Sequence, residues 1–223
     1  MPETSSPRRP LRTLSPEQQE RLWAFLQERN AFSGPSSSTC LDTCLIILML
    51  DAGLRIAEVC GLQRSDLWFG EGPVIDLTVR SEIAKNKTVR TVPLSNRLRE
   101  AIKNLHDFYW PSLQPTTGAT TNPAAQSFCS ITPRQVQRIV KQITILALGM
   151  AFNPHALRHT FATKMMHLTD IRTVQMLLGH ASLTSTQVYT HPSLSDLRAA
   201  INKTNGNDIK SPDIVTNKSP VSS

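Results

Sequence analysis

The feature that most constrains the fold is a change of period in mid-chain. Val74-Ile75-Asp76-Leu77-Thr78-Val79 and Thr88-Val89-Arg90-Thr91-Val92 are β-branched runs on either side of a polar Lys-Asn-Lys turn, and Pro93 closes the second. Runs of this kind spell the two strands of a short antiparallel hairpin. On both sides of it apolar residues recur at helical spacing instead. Ser15 and Pro16 offer an N-cap and a first helical position ahead of Leu22, Phe25 and Leu26, and a Gly-Pro-Ser-rich loop at residues 33–38 ends that helix. A second helix over about residues 39–51 is apolar at Leu41, Leu45, Leu48 and Met49, and Gly53 stops it before a short helix through Ile56 to Cys60. Beyond the hairpin, helices are expected near residues 95–109, 132–148, 154–167, 170–178, 184–190 and 193–202, two of them opened by the cap-plus-proline pairs Thr132-Pro133 and Asn153-Pro154. The expected class is mainly α with a small antiparallel β-hairpin, an α+β fold.

A chain of 223 residues can bury one sizeable core. Residues 1–14 read as a basic disordered arm, 15–202 as the folded domain and 203–223 as a disordered polar tail. The loop from Pro111 to Ile131 is long and rich in Pro, Thr and Ala, so it is either a flexible insertion or a mobile element over a site. With 24 Lys+Arg against 17 Asp+Glu the formal charge is +7, which favours a polyanionic partner such as nucleic acid or, alternatively, reflects charges scattered over solvated faces. Cys40, Cys44, Cys60 and Cys129 form no CxxC pair, and most of them sit among apolar residues as small core side chains. The most apolar run, Cys44 to Leu50, stops at Asp51 and is too short to span a bilayer, and the N-terminus lacks the apolar stretch of a secretory signal. A cytoplasmic protein without a membrane segment is expected.

Three short motifs carry groups suited to chemistry. Gly53-Leu54-Arg55-Ile56-Ala57-Glu58 places a cation and a carboxylate on one helix face beside a glycine break, as either an exposed ion pair or part of a site. His155-Ala156-Leu157-Arg158-His159 gathers cationic side chains in the first turns of a helix, where backbone amides already favour an anion. His155 and His159 also have the spacing of a helical metal pair, but no carboxylate lies between them, and no metal or other cofactor is expected. The third motif, Leu177-Leu178-Gly179-His180, is followed by Tyr189-Thr190-His191, and Tyr189 is one of only two tyrosines in the chain.

In this order and spacing, with the Lys hairpin ending in Val92-Pro93-Leu94, these motifs closely resemble the tyrosine recombinase (phage integrase) family over roughly residues 15–202. The resemblance implies that family's catalytic-domain fold and strand cleavage of double-stranded DNA through a covalent 3′-phosphotyrosine on Tyr189. Carried over by position, it implies that Arg55 and Arg158 grip the non-bridging oxygens of the scissile phosphate, a task suited to planar, permanently charged guanidiniums. It implies that His180 adds a hydrogen bond to the same oxygens and that His155 contacts the phosphate or helps accept the tyrosine proton. Lys85 matches the general acid for the 5′-oxygen leaving group, with Lys87 as its competitor, and Glu58 would orient the cations. Such a cluster can do what Mg²⁺ does in other phosphoryl transfers. The remaining candidate DNA contacts are Lys87, Arg90, Arg134, Arg138 and Lys141.

The chain departs from the family pattern in two places. Members commonly carry a separate helical core-binding domain ahead of the catalytic one, whereas only fifty-four residues precede Arg55, as in short single-domain members or a catalytic fragment. The hairpin stretch Ala84-Lys85-Asn86-Lys87 lacks the glycine common around the family's lysine. The leading expectation is a site-specific recombinase acting in integration, excision or inversion, located in the cytoplasm on DNA. A type IB topoisomerase-like activity and a DNA-binding regulator descended from a recombinase are the alternatives. Residues 194–202, apolar at Leu194, Leu197, Ala200 and Ile201, form an amphipathic segment that in the family docks on a neighbouring protomer, so a homotetramer on paired DNA sites is expected.

Overall fold

The computed structural model describes residues 12–32, 36–113 and 126–179. The expected helices after residue 180, the N-terminal arm up to residue 11 and the C-terminal tail lie outside these residues. Eight helices and two small two-stranded sheets are described.

Helix α1 spans Pro16–Phe32, and Ser15 and Gln18 cap it reciprocally through Ser15 Oγ and Gln18 Oε1. Helix α2, Ser37–Asp51, begins under a Ser36–Thr39 capping box and is buried at nearly every position from Thr39 to Leu50. A helix apolar on all faces belongs at the centre of a domain, and α2 packs against α1, α5, α6 and α7 around it. It ends at Gly53, whose φ of +60° is open to glycine at little cost, and the Leu54 N–H returns to the Leu48 carbonyl. Gly53 also lacks the Cβ that would strike the Phe161 ring at 2.3 Å.

Helix α3 (Ile56–Gly61) and the single turn α4 (Arg64–Leu67) lead into a ribbon that the sequence reading did not contain, β1 (Trp68–Phe69) paired with β2 (Gly72–Pro73). The expected hairpin is formed by β3 (Asp76–Val79) and β4 (Arg90–Pro93), with Val79 opposite Arg90 and Leu77 opposite Val92. Its paired portion is shorter than expected, because residues 80–89 form a tight connecting segment in which the Ile83 and Ala84 amides both return to the Arg80 carbonyl. Strand alternation turns Leu77, Val79, Arg90 and Val92 inward.

Helix α5 (Asn96–Asn104) continues through a π-helical turn, Leu105–Tyr109, and a 3₁₀ turn, Trp110–Ser112. The loop from Pro111 to Ile131 reads as either a flexible insertion or a mobile element, and its described end is fixed in the core. Phe128 is fully buried, its carbonyl accepts from Trp110 Nε1, and its N–H donates to the Leu62 carbonyl. Helices α6 (Pro133–Leu148) and α7 (Pro154–Leu168) start on Thr132 and Asn153 with proline at the first position, as read from the sequence. Helix α8 (Ile171–Leu178) starts on Asp170 and ends on Gly179 in the left-handed conformation.

The fold begins earlier than the sequence suggested. Leu14, assigned to the arm, is buried, its N–H donates to Thr160 Oγ1 at 2.8 Å, and the Arg12 guanidinium lies over the Phe152 ring. Cys40, Cys44 and Cys129 are buried, Cys60 half-buried, and all four are free thiols. Burial pushes the Cys129 thiol up to about 12, in keeping with its place as a core side chain.

Candidate active site

The last turn of α8 leaves backbone carbonyls without helical partners, as every helix end does. Here cationic and polar side chains from four other parts of the chain satisfy them. Arg90 Nε on β4 donates to the Leu177 carbonyl at 2.9 Å. Arg158 on α7 and Arg55, at the N-cap of α3, both donate to the Leu178 carbonyl, at 2.8 and 3.4 Å. Asn86, in the β3–β4 connection, donates from Nδ2 to the Gly179 carbonyl at 3.3 Å. Cations at a helix C-terminus also meet the negative end of its dipole. Parts separated widely in the sequence thereby meet within one turn of backbone.

Glu58 organises the cluster from below. Its residue is 0 % exposed, and its carboxylate accepts from the Arg55 N–H at 2.7 Å, from the Arg55 guanidinium at 3.0 Å, and from both terminal nitrogens of Arg90 at 2.9 and 2.7 Å. Arg158 stands 3.9 Å away and donates to the Gly53 carbonyl as well. Burial alone would push the Glu58 carboxyl up. The fork of hydrogen bonds and the charge of Arg90, then the Arg55 N–H and Arg158, more than offset this and hold it below the ordinary glutamate value. Glu58 is therefore an anion in the interior.

Three guanidiniums thus face one carboxylate, an excess of positive charge among the described residues. Part of it is compensated by the helix-end carbonyls, and an oxyanion would compensate the rest. Arg55 is half-buried, and among the described residues its Nε and its second terminal nitrogen make no hydrogen bond. Those N–H groups can meet a phosphate without giving up Glu58.

The structure brings Arg55, Glu58 and Arg158 together as the sequence reading required. Lys85 and Lys87 are both exposed on the connection whose Asn86 touches Gly179, so either can reach toward this end of α8. Lys87 adopts φ +52°, a left-handed position that glycine takes more readily. His155 is exposed on the first turn of α7, its ring 6.5 Å from that of His159. Burial, then the nearby His155 and Arg158, hold His159 below the ordinary histidine value. Among the described residues no group of three His, Cys, Asp or Glu side chains is placed to share a metal ion. His180 follows Gly179 directly in the sequence, and it and Tyr189 lie outside the described residues.

Among the described candidates, Arg90 is the one that the structure places differently from its reading. It was read as a DNA contact, but it is only 7 % exposed and all three of its nitrogens are engaged by Glu58 and Leu177. A period-two reading of β4 would have found this, since Val92 points inward and Arg90 shares its face. Arg134, Arg138 and Lys141 are exposed together on one face of α6. Asn86 was not singled out from the sequence at all.

Comparison with known families shows to which of them the chain belongs. The model of the phage integrase family matches residues 12–195, most of the chain. The chain belongs to the phage integrase family. A curated relative, the tyrosine recombinase XerA of Pyrococcus furiosus, is 34% identical over 165 residues, covering 74% of this chain and 54% of the relative. The crystal structure of XerA recombinase superposes with a TM-score of 0.59 at 26% identity, covering 86% of this chain and 64% of that one. XerH site-specific recombinase bound to its difH substrate shares the fold, with a TM-score of 0.63 at 23% identity over 89% of this chain and 56% of that one. The chain spans about half the length of the curated relatives it matches. In this integrase-family chain, no helix among the described residues is long and apolar enough to cross a membrane.

Proposed function

We propose that the chain is the catalytic part of a site-specific DNA recombinase that cleaves and rejoins double-stranded DNA through a covalent 3′-phosphotyrosine on Tyr189. The observation that carries this reading is the convergence of Arg55 and Arg158 on one carbonyl beside an ionised, buried Glu58, in a chain whose family match extends past Tyr189. Fixed cations of this kind stabilise charge developing on the non-bridging oxygens. They also favour the phenolate over the phenol, whose ordinary pKa is about 10. Attack exchanges one phosphodiester for another, the 5′-oxygen leaving with a proton from Lys85, and the reverse attack by a DNA hydroxyl restores the phenol without ATP. His155 and His180 complete the phosphate's partners, and the exposed Arg134, Arg138 and Lys141 meet the backbone of the duplex.

The same reading extends to the setting. The amphipathic segment at residues 194–202 docks on a neighbouring copy, which gives a tetramer on paired sites, and the protein acts in the cytoplasm on DNA. The deciding experiment uses duplexes selected from a random-sequence pool for binding to the protein. A covalent adduct is expected in the presence of a chelator, mapped to Tyr189 and abolished by Tyr189→Phe. An absolute need for Mg²⁺ overturns the reading. So does an adduct on Tyr109, which is buried, with burial raising its phenol further from ionisation.

A further inference from the structure

We infer that Arg90 is a positioning residue of this site: it neutralises Glu58 and holds the end of α8, and so leaves Arg55 and Arg158 able to take a phosphate. The inference rests on the reading of the cluster as a phosphate site. Its basis is the geometry of one inward-facing arginine on a strand. Arg90 sits opposite Val79 on the buried face of the hairpin, and its guanidinium forks onto both oxygens of Glu58 while Nε reaches the Leu177 carbonyl. Gly179 packs so close that a Cβ there would stand 3.0 Å from Arg90 Cδ, so the side chain is clamped between the carboxylate and the helix end.

The consequence for the other two arginines is electrostatic. A buried carboxylate attracts whichever cation can reach it, and the attraction grows as water is excluded. Without Arg90, the described residues leave Glu58 Arg55, already bonded at 3.0 Å, and Arg158, at 3.9 Å, to neutralise it. Both would be drawn inward onto the carboxylate, and the substrate phosphate would have to compete with an internal anion for the same N–H groups. With Arg90 in place both carboxylate oxygens are already paired. The remaining work of Glu58 is orientation, chiefly through the bond from the Arg55 N–H. Arg90 thus touches no reacting atom, and its effect passes through Glu58 and the Leu177 carbonyl.

The test reads the cluster directly, with inorganic phosphate as the probe and arginine side-chain NMR as the readout, on the full chain. In the wild type, phosphate should shift the Arg55 and Arg158 resonances and leave that of Arg90 in place. Arg90→Met should weaken phosphate binding about tenfold or more, and Arg90→Lys, which keeps a charge but not the fork, should fall between the two. The Glu58→Gln/Arg90→Met double variant should bind phosphate better than Arg90→Met alone, because the competing charge is gone while the amide oxygen still accepts from the Arg55 N–H. A residue that only supports the fold would show no such recovery. Thermal unfolding of each variant identifies the folded fraction, and Arg90→Lys carries the test if Arg90→Met does not fold. Unchanged phosphate affinity in the Arg90 variants, or a double variant weaker than the single, overturns the positioning role and leaves the phosphate-site reading intact. No phosphate response of Arg55 and Arg158 in the wild type overturns both.

Discussion

Arg55 and Arg158 donate to the same acceptor, the Leu178 carbonyl, at 3.4 and 2.8 Å. One oxygen at a helix end thereby fixes the distance between two side chains that come from different helices. A lysine has one nitrogen at the tip of a flexible stem and cannot span the acceptors that the Arg158 fork meets, Gly53 and Leu178. Arg158→Lys should therefore behave almost as Arg158→Ala, each lowering the single-turnover cleavage rate by about a hundredfold to a thousandfold, the usual cost of losing one donor to a developing oxyanion. Near-normal cleavage by the lysine variant would show that charge alone suffices and that the shared carbonyl is incidental.

Leaving-group protonation separates the two exposed hairpin lysines from the arginines. A substrate with sulfur in place of the bridging 5′-oxygen releases a thiolate, and thiols ionise near a pKa of about 8.5, far below alcohols. Lys85→Ala should be slowed on the order of a hundredfold or more on ordinary DNA and recover on the sulfur substrate, whereas Arg158→Ala should not recover. Recovery of Lys87→Ala in place of Lys85→Ala would move the acid two residues along. If neither recovers, the hairpin lysines only bind DNA.

Glu58 should leave a signature in acid. Its carboxyl is held below the ordinary glutamate value in the folded protein, so the unfolded chain takes up a proton first as the pH drops. Its stabilising contribution is therefore complete above the unfolded value of about 4.3 and is lost as the pH falls through the lowered folded value. Glu58→Gln leaves the Arg90 fork without its anion and should cost about 3 kcal/mol or more at neutral pH. Urea titrations from pH 7 to pH 3 should then show a shallower acid decline for Glu58→Gln than for wild type. Parallel curves would mean that other carboxylates govern acid unfolding.

The two left-handed glycines around the cluster should differ in their tolerance of a methyl group. At Gly53 an added Cβ meets Phe161 at 2.3 Å, so Gly53→Ala combines backbone strain with overpacking and should destabilise by about 3 kcal/mol or more. At Gly179 the added Cβ would stand 3.0 Å from Arg90 Cδ rather than 2.3 Å from a ring, a milder overlap, and Gly179→Ala should cost about 1 to 2 kcal/mol. Equal losses in denaturant titrations would contradict the difference in packing.

Much of this arrangement was legible because local chemistry and global fold agree. Ser15-Pro16, Thr132-Pro133 and Asn153-Pro154 start helices where caps and prolines said they would. Arg55, Glu58 and Arg158 were recognisable by motif order, and the structure brings them together. What escaped were features set by tertiary contact. The β1–β2 ribbon is too short to carry a periodic signal. Phe128 lies in a stretch whose composition reads as loop, yet Trp110 and Leu62 draw its backbone into the core. Arg90 was misplaced because a charge normally marks a solvated face, and only a buried partner carboxylate makes the inward position tolerable.

The bond from the Leu14 N–H to Thr160 Oγ1 ties the segment ahead of α1 to the helix that carries Arg158. Thr160 lies two residues beyond Arg158 on α7, and its hydroxyl is itself tied back to the Ala156 carbonyl in the turn that carries Arg158. The backbone ahead of α1 and the turn that carries Arg158 thus share one hydroxyl as a common partner, so the start of the described fold braces the helix of that arginine.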